Sequence, residues 1–430
     1  KTNIAHTIPN SISGVGALTI ARGTVTFTGA NTYSGDTTVT TGTFKAGAVG
    51  GSSPNSRMVL NAAGVLFDLD GHTSSVAALN GSVATATVDV DGATLTLTGG
   101  PVPLVAQSYS GNIIGAGGLE KNGTYSQVFA GSGALGYTGL TLVSNGLLQV
   151  NRPLSTSGVA VNGGTFTANF VGALPDTASI QLTGALATYN MNLTDVVGSL
   201  SGVRNARLNL GAGTTFTVSA NAGSPMLGTI MCAGSVVKSG AGTLTLGGGN
   251  GYTGTTTINA GTLQFDASVA GLQQINDDSA VTIGAAGTLD LNGVSETLAS
   301  LAGAGVVQLG GGTLTIAGGN STVFSGSIYG PGNMVKRGTG GLTLSGFNPF
   351  AGNLEINGGT VTLNDSATHS ALGDLSNVTV SGRGAAFSVL ADETISTLST
   401  ANGSLVNIGV GATLVTSNAG NQSWNGASSG

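Results

Sequence analysis

The chain has 430 residues, 75 of them Gly, and a formal net charge of −6 from 12 Lys and Arg against 18 Asp and Glu. Charged residues make up 7%, against roughly 25% in typical soluble proteins, and no basic cluster of the kind that nucleic acid or anionic lipid requires is present. A hydrophobic share of 40% argues against a disordered chain; the lack of about 18 consecutive apolar residues excludes a membrane-spanning helix; a lone cysteine, Cys232, excludes an intramolecular disulfide.

The chain opens on Lys1 without the charged and apolar regions of a signal peptide, which reads as a mature product or a segment of a larger precursor. Helical periodicity is nearly absent from there on. Alternation recurs instead, as in Thr24-Val25-Thr26-Phe27-Thr28, Thr94-Leu95-Thr96-Leu97-Thr98, Thr243-Leu244-Thr245-Leu246 and Thr313-Leu314-Thr315-Ile316. Each run places apolar side chains on one face and β-branched Thr on the other, the signature of a half-buried strand. Most runs end in Gly or Asn-Gly, which supply bends. Proline is scarce and sits in irregular patches such as Gly100-Pro101-Val102-Pro103.

The stretch Lys238 to Phe265 recurs as Lys336 to Leu363, with Gly240, Leu244, Asn250, Tyr252, Gly254 and Ile258 answered by Gly338, Leu342, Asn348, Phe350, Gly352 and Ile356. Looser copies surround Tyr33 and Tyr137; Thr19 stands at the Lys position of the first. Companion segments also match, Asp68, Asp70 and Gly71 answering Asp290, Asn292 and Gly293. Such periodicity takes precedence over any length-based domain count. It gives modules at 14–114, 115–233, 234–331 and 332–417 with a tail at 418–430 that is expected to fray. A single coil of short strands cannot bury its inward face, whereas stacked coils can. The expected fold is therefore all-β, a parallel β-helix of about 17–21 coils at roughly 20–25 residues each. A β-sandwich is the rival, since Asn162-Gly163 is a hairpin signal, but the repeats are too regular for it.

The pattern of Lys238, a Gly-x-Gly, Leu-x-Leu, Asn250-x-Tyr252-x-Gly254 and a closing Gly-Thr-Leu resembles the passenger-associated transport repeat of bacterial autotransporters. The resemblance covers most of the chain, strongest at 238–265, good at 336–363 and weaker at 23–44 and 121–150. It implies a right-handed parallel β-helix, exported through the outer membrane of a Gram-negative bacterium and displayed on its surface. It also implies that the repeat helps the passenger fold and move outward without defining its activity. The family's membrane β-barrel has no counterpart in these residues, so membrane attachment is expected only through such a barrel.

Candidate sites are weighed against that scaffold. Asp68/Asp70, Asp89/Asp91, Asp277/Asp278 and Asp392/Glu393 are paired carboxylates, the residue type of a cation site or an acid/base pair. Asp68 and Asp70 recur at equivalent module positions and precede Gly, which reads as corner chemistry. His6, His72 and His369 are isolated, too few for a metal centre; His72 reads as an exposed corner residue. Gly131-Ser-Gly133-Ala-Leu-Gly136 leads into the repeat where a dinucleotide site needs a helix. Tyr33, Tyr137, Tyr252 and Phe350 read as corner packing, with a carbohydrate-stacking stripe as the alternative. Cys232 is expected to be buried beside Met231. No catalytic, cofactor or metal residue is assigned. The expected role is a non-catalytic surface passenger, a stalk or adhesin, with host or neighbouring-cell glycans or proteins as partners, and self-association. A β-helical glycan lyase or hydrolase and a self-assembling filament are the alternatives. Specific activity is expected where the modules differ, at 101–114, 151–157, 172–178 or 222–233.

Overall fold

A computed structural model describes residues 5–101, 105–219, 224–269, 271–365, 371–374, 376–418, 423–424 and 427–429. His369, Val102 and Pro103 lie outside them. The chain is a parallel β-solenoid of about 20 turns with essentially no helix, and it divides into two units, Lys1–Thr214 and Thr215–Gly430.

In the first unit Ala5–Ile8, Thr24–Phe27, Thr43–Ala46, Leu66–Asp68 and Thr87–Asp89 stack in parallel, one coil per step. A second face stacks Leu18–Ile20, Thr37–Val39, Arg57–Val59 and Ala78–Asn80. A third stacks Gln107–Tyr109, Ser126–Phe129, Leu147–Val150, Thr165–Ala168, Thr188–Met191 and Arg207–Leu210. The second unit repeats the arrangement with Thr313–Ile316, Asn333–Lys336, Asn353–Ile356, Asn377–Val380 and Thr397–Thr400 on one face. On another, Thr243–Leu246 pairs with the long strand Thr256–Phe265, and that strand with Ala280–Asp290. The sandwich is thereby overturned. Gly158–Val161 and Thr165–Ala168, which flank Asn162-Gly163, pair with Thr141–Val143 and Leu147–Val150 of the preceding coil and not with each other. Asn162-Gly163 is a corner within one coil.

The alternation decides what is buried. Leu95, Leu97, Leu244 and Leu246 are fully inside while the intervening Thr96 and Thr245 stay partly exposed. Each such side chain contributes about 1.5–3 kcal/mol of burial. Like residues stack on successive rungs: Phe27 lies 4.5 Å from Phe44, and Phe44 meets Phe67 edge-on at 5.5 Å.

The motif glycine after each key aromatic is a matter of contact between coils. A Cβ on Gly35, Gly139, Gly254 or Gly352 would lie 2.3, 2.4, 2.3 or 2.0 Å from the carbonyl oxygen of Gly16, Gly117, Gly234 or Gly332 in the coil below. No side chain fits there. The tail expected to fray carries paired strands, Ser423–Trp424 on Thr397–Thr400 and Ala427–Ser429 on Leu405–Ile408.

Candidate functional site

The repeated motif spends its polar residues on the scaffold. Tyr33, Tyr137 and Tyr252 are buried, and each hydroxyl meets the Thr four residues on, Thr37, Thr141 and Thr256, at 2.6–2.7 Å. The relay continues to Ser56, Thr156 and Ser279, whose hydroxyls donate to the carbonyls of the motif glycines Gly35, Gly139 and Gly254. In the fourth copy both partners are apolar, Phe350 and Leu354. With all four aromatics buried, the carbohydrate-stacking stripe is excluded.

Asn31, Asn250 and Asn348 are buried staples across three coils. Each accepts an N–H from the coil before, Ile12, Ile230 and Ile328, and donates to a carbonyl of the coil after, Gly51, Gln274 and Ala371. Lys121, Lys238 and Lys336 are at most 1% exposed. Their ammonium groups donate to the carbonyls of Gly123 and Asn145, of Gly240 and Ala260, and of Arg337, Gly338 and Gly358. Burial lowers the Lys121 pKa to about 8. In the first copy the Lys position falls on Ile20, not Thr19: Ile20 pairs with Val39 as Lys238 pairs with Ile258. The corner from Ile20 to Thr24 is one residue shorter than that from Lys238 to Thr243, and an isoleucine closes it.

Sequence reasoning missed Asp195 and Glu296, and took Glu393 only as one of a carboxylate pair; all three are buried acids. Glu296 accepts the N–H groups of Gln274 and Ile275 at 3.0 and 3.1 Å, and Glu393 those of Ala371 and Leu372 at 2.6 and 3.1 Å. Asp195 accepts the N–H of its neighbour Val196 at 3.0 Å through Oδ1, while its buried Oδ2 has no hydrogen-bond partner. Burial raises all three to about 7, against the opposing pull of the N–H donors. The only signal in the sequence was a charged residue at the start of an apolar strand. Asp392 and Glu393 serve different ends: Glu393 is buried while Asp392 accepts the N–H of Thr413.

The remaining carboxylate pairs are corner groups. Asp68, Asp89 and Asp290 each accept the N–H two residues on, at 2.8, 3.1 and 2.8 Å, where Asp70, Asp91 and Asn292 turn through positive φ of 51°, 36° and 48°. Asp68 and Asp89 occupy adjacent rungs; Lys45 reaches Asp70 at 2.7 Å and Asp68 at 3.6 Å. Asp277 accepts from Gln273, and Asp278 lies beside it in an exposed turn. Among the described residues no group of three or more His, Cys, Asp or Glu is placed to hold a metal. His6 is exposed; His72 is half-buried, with Nδ1 enclosed and unpartnered, in place of the exposed corner residue expected.

Gly131 to Gly136 runs directly into the strand Gly136–Tyr137, so no helix follows it. Its Gly133 carbonyl is held by Arg152, a fully buried guanidinium that also donates to the carbonyls of Ser110, Gly111 and Ala130 and to Asn112 Oδ1. Cys232 is exposed, not buried, and has φ of 76°.

One polar groove is not repeated. Arg57 and Asp36 form a two-pronged ion pair, Nε to Oδ1 at 3.1 Å and Nη2 to Oδ2 at 2.5 Å, with side chains 33% and 41% exposed. Nη1 of Arg57 donates to Gln107 Oε1, which Asn80 also contacts, while Gln107 Nε2 donates to the Val105 carbonyl. Ser34, Asn55, Ala77, Gly99 and Gly100 complete a groove of about 230 Å³. The segment after strand Thr94–Leu97 leans back onto it: the Thr98 hydroxyl donates to the Pro54 carbonyl. Equivalent rungs elsewhere carry Leu140 and Gly158, Thr255 and Ala280, or Asn353 and Asn377.

The repeats match the model of the passenger-associated-transport-repeat family at residues 23–46, 236–265, 306–328 and 334–363. The copy read at 121–150 falls outside these ranges, whereas 306–328, not read as a copy of the repeat, is matched; it contains Phe324 and Gly326, spaced as Tyr252 and Gly254. The chain is 35% identical over 429 residues to the "Adhesin BmaC autotransporter" of Brucella suis biovar 1 (strain 1330), an overlap covering 94% of this chain and 12% of that protein. The chain thus spans about an eighth of the relative it matches. No solved structure matches it significantly. Repeat, continuous similarity and fold agree: the chain belongs to the autotransporter passengers built on passenger-associated transport repeats, proteins carried to the bacterial cell surface.

Proposed function

We propose that this chain is a non-catalytic segment of a displayed adhesin, a stalk whose lateral faces meet glycans or proteins of a host or neighbouring cell. The observation that carries this reading is the similarity to an adhesin autotransporter along 94% of the chain. The use of motif side chains supports it: Asn250, Lys238 and Glu296 hold one coil on the next, and Tyr33 is tied to Thr37, whose hydroxyl meets Ser56 of the following coil. Asp68 and Asp89 are engaged in their own corners, which favours structure over acid/base chemistry for these carboxylates.

Beads coated with the purified chain should adhere to cultured cells above the level of beads coated with an unrelated β-solenoid. The same preparation should leave a panel of polysaccharides, esters and peptides unchanged. Absence of adherence, or turnover abolished by Asp68→Ala or Asp70→Ala, would overturn the reading.

A further inference from the structure

We propose that the groove around Asp36 and Arg57 is a binding subsite for one neutral sugar ring presenting adjacent hydroxyls. The proposal rests on the adhesin reading and names the chemistry of one of its contacts. At about 230 Å³ the groove is smaller than the roughly 300–1,000 Å³ of sites for drug-sized ligands, so it admits a single small ring.

Donors and acceptors in the groove are balanced. The Asp36 carboxylate spends one acceptor position on each oxygen with Arg57 and retains the others, of about four in all. Arg57 engages Nε, Nη1 and Nη2 once each, leaving two of its five N–H groups. Ser34 and Asn55, two further polar residues, also line the groove. A hydroxyl both donates and accepts, so two neighbouring hydroxyls satisfy a carboxylate and a guanidinium held side by side. An anionic ligand would face Asp36, and a cation would face Arg57; the pair selects for a ligand without net charge.

The pair is also preorganised. Asp36 and Gln107 hold Arg57, and Gln107 is held by Asn80 and the Val105 carbonyl, which reduces the ordering cost of binding. Ala77, Gly99 and Gly100 add small groups to the lining. The scaffold does not require the pair, because uncharged residues occupy its place on equivalent rungs. No aromatic side chain is among the described residues that line the groove, so affinity per site is weak, on the order of millimolar, and useful adhesion relies on multivalency.

The experiment uses the full chain, isotope-labelled, titrated with glucose, galactose, mannose and N-acetylglucosamine to about 50 mM. At least one sugar should give saturable shift changes at Ser34, Asp36, Asn55, Arg57 and Gly99. The Asp36→Ala/Arg57→Ala double variant, which leaves neither charge unpaired, should lose at least tenfold in affinity. Should that variant fold poorly, Asn55→Ala is expected to weaken binding several-fold without altering the melting profile. No shift with any of the sugars, shifts confined to another face, or binding unaffected in folded variants would overturn the subsite. Cell adherence of coated beads would then still report on the adhesin reading separately.

Discussion

At the scale of single residues, Cys232 shows how a corner constrains its occupant. Gly14, Gly115, Cys232 and Gly330 take φ of 106°, 105°, 76° and 115°, and their carbonyls accept the N–H groups of Ser34, Thr138, Thr253 and Ala351. These are equivalent corners under the key aromatics, and one of them carries a side chain in a backbone region that costs L-residues about 1–2 kcal/mol. Cys232→Gly is therefore expected to stabilise the protein by about 0.5–1 kcal/mol, after the entropy that glycine adds to the unfolded chain. Urea titration reads this as a higher midpoint at unchanged slope. A lower midpoint would mean that the thiol makes a contact worth more than the strain. Nothing in the order Met231-Cys232-Ala233 indicated the exposed corner, because composition statistics place free cysteines inside.

Elements hold one another through polar groups that reach across coils. Glu296 and Glu393 sit at the first positions of Glu296–Leu298 and Glu393–Ile395 and grip two N–H groups of the preceding coil. Their folded pKa of about 7 is above the ordinary value of 4.5. The folded state binds protons more tightly than the unfolded one across that interval, so this contribution is complete below about pH 4.5 and is lost as the pH rises through 7. Between pH 5 and 7.5 the thermal midpoint should fall, and Glu296→Gln with Glu393→Gln should flatten much of that slope while lowering stability throughout. A wild-type midpoint that rises over the same range would show that the N–H donors outweigh burial. Lys121, lowered to about 8, acts in the opposite sense, adding stability as the pH rises above 8 through the ordinary lysine range. The periodic lysine was legible in the sequence. Its role was not, because the carbonyls it holds belong partly to the next coil.

For the whole molecule, neutral polar side chains do what charge does elsewhere. Asn151, Asn169 and Asn192 form one amide ladder on the outer face of the first unit, and Thr167, Asn190 and Asn209 form another. The ion pairs of Lys45 and Arg57 are partly exposed, and such pairs contribute at most about 1 kcal/mol. Raising sodium chloride from about 50 mM to about 500 mM should therefore shift unfolding stability by less than about 1 kcal/mol. A larger loss of stability would place the main cohesion in electrostatics and not in burial.

The sequence by itself determined that this is an all-β repeat chain, where most of its coils turn, and which apolar residues of the alternating strands face inward. Those properties follow from local alternation and from spacing that recurs along the chain, and both are visible in one dimension. Only the tertiary structure decided that consecutive strands pair with the coil below and not with each other, as at Asn162-Gly163. It also decided that Glu296 is a buried clamp while Asp68 is a corner cap. It brought Asp36 and Arg57 into one groove, with Gln107 holding Arg57. Those outcomes depend on which residues lie one or two coils apart. That register is set by the exact length of each corner, and corner lengths in this chain vary from coil to coil, as the one-residue difference between the Ile20 and Lys238 corners shows.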